Sequence, residues 1–342
     1  MTTPRQTKLT ARGPADLIAL VPVVLGFHPQ DSVVLLTFGP AAGSFHARVD
    51  LPVAAAEQEE VAGLLLGAVL RNEVRQAALV LYTDDVRAAE SQAELVAGRL
   101  VEHGVDVIDV LRADDGHWFP VPEHGSGGTP YDLESHRFTA QHVYDGGLVH
   151  PDRAALADSL IGTDEDDRTA IALAATRCAD LLQEGLAGGC GGFLRDEARW
   201  LQRRVRRFLR EPAPLSVGDA GRVLVLCSQT AARDVALAEI TRRSAAGHVS
   251  LWLDLVRRAP HDLIPGVASL LAFAAWQRGD GALAWCAVDR CAEVEPDHSL
   301  ARCVAQVLTE AVPPSLWEPP PERDLSVLTD DEEVELPRDQ AS

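Results

Sequence analysis

Lysine is almost missing from these 342 residues. Lys8 is the single one, and arginine supplies the other 30 of 31 basic side chains. That excludes a lysine-bearing phosphate loop, and no G-x-x-x-x-G-K-[ST] occurs. No G-x-G-x-x-G follows a strand pattern, and Ser126 in Gly125-Ser-Gly127 is not a G-x-S-x-G elbow. The arginine and alanine excess reflects a GC-rich genome, not a mechanism. Cysteine is scarce too. Cys178, Cys190, Cys227, Cys286, Cys291 and Cys303 contain no C-x-x-C pair, which excludes a zinc ribbon or dithiol redox motif. They read as small, reduced, buried side chains rather than a disulfide framework. No apolar run reaches the roughly 20 residues a membrane helix needs. The stretch from Leu17 to Phe27 contains Pro22 and stops at His28. Residues 1–13 are polar and carry Arg5, Lys8 and Arg12, unlike a signal peptide, so a cytoplasmic location is expected. Positive charge is in deficit: the formal net charge of −20 opposes bulk nucleic acid and anionic membranes as partners.

What is present is a globular composition, 46% hydrophobic and 24% charged, long enough for about two domains. Ser32 to Phe38 is continuously apolar, as in a strand covered on both faces. Phe45 to Leu51 alternates, with Phe45, Ala47, Val49 and Leu51 on one face and His46, Arg48 and Asp50 on the other. With a turn signal at Gly39 to Gly43 between them, the two predict a β-hairpin. Period and breakers then predict a helix over 54–72, a strand over 77–83, a helix over 85–103, and strands over 105–111 and 117–121. That alternation implies parallel pairing through crossovers. Beyond residue 130 the strand pattern is lost. Helices are expected over 135–145, 152–160, 164–186 and 192–210, with five more between 217 and 311. The fold class is thus an α/β domain over 1–130, a mixed sheet with helices, followed by an all-helical region over 131–316. The segment 317–342 holds nine acids against two arginines and is expected to be disordered and solvated.

The stretch Gly13 to Ser32 and Ala47 to Pro52, then Gly116-His-Trp-Phe119 and Gly128-Thr-Pro130, resembles an actinobacterial family catalogued as domain of unknown function 4192. The likeness resumes at Leu270 to Trp276, Gly279 to Ala284 and Pro296 to Ala301. It implies a bacterial cytoplasmic protein and no particular activity. Similar proteins often carry adjacent cysteines just before the Gly-Thr-Pro, where this chain has Glu123 and His124.

Four constellations invite a functional reading. Residues 266–301 resemble one tetratricopeptide unit, with Ala272 and Ala284 as small contact positions and Gly279-Asp280 as the turn; such hairpins are expected within about 245–312. In the helix 192–210, Leu194, Ala198, Leu201, Val205, Phe208 and Leu209 form one stripe. Arg195, Arg199, Arg203, Arg206 and Arg210 form another, fit either for an anionic partner or for salt bridges within the chain, for instance to Asp164–Asp167. Five of eleven histidines lie between His117 and His150, but His136 and His142 are six apart and no tight ligand pair occurs, so neither metal nor cofactor is expected. Finally, the hairpin should bring His28, Asp31 and Ser32 beside Arg48 and Asp50, as a polar knot or a ligand site lining a cleft. The functional expectation is a non-enzymatic interaction or regulatory protein that binds a partner protein through its helical region. The rival is an enzyme or small-molecule binder with its site at that hairpin end.

Overall fold

Strand β1 (Ser32–Phe38) runs between two neighbours in a computed structural model of the chain, which describes residues 10–39, 45–123, 127–187 and 192–319. On one side it pairs antiparallel with β2 (His46–Asp50), on the other antiparallel with β3 (Gln76–Tyr82). β4 (Asp106–Asp114) joins β3 in parallel, and β5 (His117–Pro120) and β6 (Thr129–Pro130) follow antiparallel. The order is β2-β1-β3-β4-β5-β6. The expected hairpin forms, although the turn residues 40–44 lie outside the described residues. The expected parallel pairing holds for β3 and β4 alone. β2 and β3 run in the same direction but do not pair, because β1 is inserted between them. That position gives β1 a ladder on each edge, and all of it but Phe38 is buried.

Helix α2 (Ala55–Arg71) and helix α3 (Val86–Glu102) cover one face of the sheet. Ala62, Leu65 and Val69 recur at helical spacing on α2, and Ala89, Ala93, Val96 and Leu100 on α3. They pack onto Val33, Leu35, Ala77, Leu79 and Leu81, the alternate residues of β1 and β3. Asp85 starts α3 by accepting from the Ala88 amide at 3.0 Å. The opposite face carries Val34, Leu36, Ala78 and Val80, also buried. Helix α1 (Pro14–Leu25) contacts β3 and β4 and shares no residue with the α2–α3 core, so it takes this second face. α1 was not anticipated, because Pro22 inside the run reads as a breaker. Its true signals are Pro14 in the first turn and Gly26 at the C-cap with φ 76°.

Among the described residues every element after β6 is helical. α4 (Arg137–Tyr144), α5 (Arg153–Asp158), α6 (Glu165–Ala187) and α7 (Phe193–Arg210) fall where expected. Between 217 and 311 there are six helices rather than five: α8 (Val217–Ser228), α9 (Thr230–Ala238), α10 (Ala245–Arg258), α11 (Ile264–Arg278), α12 (Gly281–Ala292) and α13 (Ser299–Thr309). A single extended residue, Gln229, divides α8 from α9, with neither glycine nor proline to announce it. None of these helices is long and apolar enough to cross a membrane.

Two compact units result. One is Met1–Ser159 with Gly279–Cys286 and Cys303–Leu316; the other is Leu160–Arg278 with Ala287–Arg302 and the chain from Trp317. In the second unit the helices approach to backbone contact. A side-chain carbon on Gly266 of α11 would lie 2.3 Å from the Cys227 carbonyl oxygen of α8, and one on Gly221 of α8 would lie 2.8 Å from the Ala175 amide of α6. α11 is buried at every position from Ile264 to Gln277. Trp317 packs edge-on against Phe273, ring centroids 5.0 Å apart. The expectation of a disordered segment concerns residues of which 320–342 lie outside the described ones.

Candidate functional site

The strand registers place one row of residues along an end of the sheet: Asp50 beside Ser32, Ser32 beside Tyr82, Tyr82 beside Ala113, and Ala113 beside Trp118. This is the end where the parallel strands β3 and β4 terminate, the usual position for a ligand in an open α/β sheet. The residues singled out from the sequence meet here in part. Arg48 Nε donates to Ser32 Oγ at 2.9 Å, and its Nη2 lies 2.6 Å from Asp50 Oδ1. Ser32, fully buried, donates in turn to the Gln30 carbonyl. Asp31, at φ 42°, accepts the Leu51 amide through its carbonyl at 2.8 Å. His28 is joined elsewhere: its amide donates to the His150 carbonyl at 3.1 Å, and the His150 amide donates to Gly26 at 2.7 Å. Burial lowers the His28 pKa.

Arg48 therefore spends its donors on the hairpin itself. Asp50 is 84% exposed, so its ion pair adds little. The charged hydrogen bond to buried Ser32 matters more. Arg48→Ala is expected to cost about 1–2 kcal/mol, read as a lower urea midpoint, whereas Asp50→Asn stays within about 0.5 kcal/mol. A larger loss from Asp50→Asn than from Arg48→Ala would contradict this assignment.

The strongest polar cluster at this end was not anticipated from the sequence. Arg112, 4% exposed, stands near the end of β4. Its Nε and Nη2 meet Glu123 Oε1 at 2.8 and 2.7 Å, and its Nη1 donates to the Thr83 carbonyl at 2.9 Å and to Asp114 Oδ2 at 3.2 Å. The guanidinium lies 4.2 Å from the Phe119 ring centre. The Glu123 amide donates to Glu90 of α3 at 3.3 Å. Arg112 shares the Leu81 face of the sheet, while Tyr82, one residue on, faces the other way. The Tyr82 hydroxyl is buried and has no hydrogen-bond partner among the described residues, and burial with Tyr131 nearby pushes its pKa well up. The Tyr131 pKa is raised as well, by burial and by Asp114.

The histidine-rich segment does structural work where it is described. His136 caps α4 by accepting from the Phe138 amide, and its Nε2 lies 3.0 Å from Asp16 of α1. Among the described residues no three His, Cys, Asp or Glu side chains gather as a metal set.

α7 carries seven arginines and two acids. Ala198, Leu201, Val205 and Phe208 are its buried stripe, close to the pattern read from the sequence. The arginines divide into two groups. Arg206 grips Glu239 with both nitrogens at 2.8 Å, and Arg204 Nε reaches Asp219 at 3.0 Å. These serve folding. Among the described residues the acidic segment Asp164–Asp167 meets other arginines: Arg258 Nε meets Asp167 at 2.7 Å, and Arg168 meets Glu165 at 2.6 Å. The second group, Arg199, Arg203, Arg207 and Arg210, is exposed. At 100° per residue these four fall within an arc of about 80°, on the side opposite the buried stripe, and span about 17 Å along the axis. Among the described residues Arg199 has only a distant partner, Asp196 at 3.8 Å. Arg207 was absent from the stripe read in the sequence. Arg195 is half-buried.

Residues 14–315 match the family model described as Domain of unknown function (DUF4192). The chain belongs to that family. No curated protein and no solved structure matches it. The family match takes in the whole described sheet, the Arg112 cluster and α7, and ends before the acidic stretch. Within that match, Glu123 and Asp114 are the carboxylates that neutralise Arg112.

Proposed function

We propose that this chain is a non-enzymatic bacterial, cytoplasmic binding protein that holds an acidic segment of a partner protein on the arginine ridge of α7. The observation that carries the reading is the alignment of Arg199, Arg203, Arg207 and Arg210 on one exposed face of a chain whose net charge is −20. An acidic protein repels an acidic partner at long range. At physiological salt that repulsion is screened beyond about 8 Å, so four aligned guanidinium groups dominate close in. Guanidinium also pairs with carboxylate in a two-bonded geometry that lysine lacks. The tetratricopeptide-like hairpin supports the reading less. Helices at Ile264–Arg278 and Gly281–Ala292 suit such a unit, yet α11 is buried on all sides from 264 to 277 and offers no open face.

The test is a titration of a fluorescein-labelled octaglutamate peptide into the full chain at physiological ionic strength. Replacing Arg199, Arg203, Arg207 and Arg210 together with glutamate should weaken binding by at least about tenfold, from four lost pairs of a few tenths of a kcal/mol to 1 kcal/mol each plus new repulsion. The melting temperature should hold, since none of the four is buried. Equal affinity of the two proteins would end the reading.

A second reading, a small-molecule binder, is favoured by the Tyr82 hydroxyl, buried without a partner among the described residues at the end of the parallel strands. A small molecule retained in native mass spectrometry, and lost in Tyr82→Phe, would favour it instead.

A further inference from the structure

The ridge has a matching anion in the same chain. Residues 318–342 contain nine acids and two arginines, and five of the acids crowd into Asp330-Asp-Glu-Glu-Val-Glu335. We infer that this stretch occupies the α7 ridge from within, as a tethered competitor of the partner segment. The inference rests on the reading of α7 as an acid-binding face.

Three observations carry it. The first is charge: the stretch holds five carboxylates within six residues, and the ridge four exposed guanidinium groups. The second is length. In extended form, Asp330 to Glu335 spans about 17 Å, the same as the axial run from Arg199 to Arg210. The third is reach. The described chain stops at Pro319, just beyond Trp317, which is anchored on Phe273 in the same unit as α7. The eleven residue steps from Pro319 to Asp330 cover up to about 36–40 Å. α11, which carries Phe273, and α7 both pack on α8, α9 and α10, so the ridge helix lies about two interhelical distances of 8–10 Å from the anchor, within that reach.

Tethering also answers the weakness of surface ion pairs. Free in solution, such a stretch would hold an arginine face only loosely. On a short tether its effective concentration is of order millimolar, which is enough to fill a site of sub-millimolar affinity. The partner would then have to displace it, and its apparent affinity would fall by the occupied fraction.

Two experiments on the full chain test this. In the first, the photocrosslinker p-benzoylphenylalanine replaces Val334, and its product is located by mass spectrometry. A crosslink to residues 195–211 within one chain, abolished when the four ridge arginines become glutamate, is the expected result. A crosslink elsewhere, between two chains, or surviving that reversal would overturn the inference. In the second, Asp330→Asn, Asp331→Asn, Glu332→Gln, Glu333→Gln and Glu335→Gln are combined. Octaglutamate should then bind about threefold more tightly or better than to the wild type. Unchanged affinity overturns the inference while leaving α7 as an acid-binding face; absence of binding by both proteins overturns both.

Discussion

Arg112→Ala is expected to lower stability by about 3–5 kcal/mol, the largest loss of any single polar substitution in the α/β unit. Arg112 is 4% exposed and its guanidinium answers Glu123, Asp114 and the Thr83 carbonyl at once. Removing it leaves a carboxylate that is only 21% exposed without its counter-charge, and a carbonyl without a donor. The loss therefore exceeds what the pair itself contributes. A double replacement, Arg112→Leu with Glu123→Leu, should recover much of the stability, because buried pairs are often no better than apolar groups of similar size. Urea unfolding of the three proteins checks this. A single variant within about 1 kcal/mol of wild type would show that the cluster is not a structural brace.

The second large effect is on pH. His248 is fully buried; its Nε2 lies 3.0 Å from the Glu239 carbonyl, and its Nδ1 has no partner among the described residues. Burial brings its pKa down to about 4 from 6.5. The folded state thus holds the ring neutral while the unfolded state accepts a proton from about pH 6.5 downward. Stability is intact above that pH and falls as the solution is acidified toward pH 4, below which the contribution levels off. The separation amounts to about 3 kcal/mol. His248→Gln keeps a donor for the Glu239 carbonyl and has nothing to titrate. Its unfolding free energy should run flatter than the wild type's between pH 6.5 and 4. Parallel curves for the two proteins would rule out this source of acid sensitivity.

Much of the fold was readable where one physical signal dominated. Strict alternation over Phe45 to Leu51 fixed which face of β2 meets the core, and Phe45, Ala47, Val49 and Leu51 do pack against it. Loss of period-two patterning after residue 130 marked the change to helices. The failures came where signals competed. Pro22 outweighed Pro14 and Gly26 and hid α1. Strand–helix–strand order suggested parallel neighbours, but register and order are settled by long-range pairing, and β1 took the place between β2 and β3. Arg112 was overlooked because a lone arginine after an apolar strand looks like a solvated end. Its partner Glu123 is eleven residues away through a turn and a further strand, a distance that no local period encodes. At the hairpin end, Asp31, Ser32, Arg48 and Asp50 are neighbours because antiparallel geometry demands it, whereas His28, expected with them, is joined to His150 instead. For the arginine stripe, spacing fixed the face but not the pairing: Arg206 is engaged by Glu239, and Arg207 joins the exposed side.

The acid-binding face of α7 is tested most directly by holding net charge constant. Reversing Arg199, Arg203, Arg207 and Arg210 to glutamate takes the chain from −20 to −28, and so does reversing four other exposed arginines, Arg71, Arg75, Arg242 and Arg243. Octaglutamate affinity is measured for both variants at physiological ionic strength, where distant charge is screened beyond about 8 Å. The account predicts a loss of at least about tenfold for the α7 variant and less than about threefold for the other. Equal losses would mean that mean charge, not the ridge, governs binding, and would contradict it.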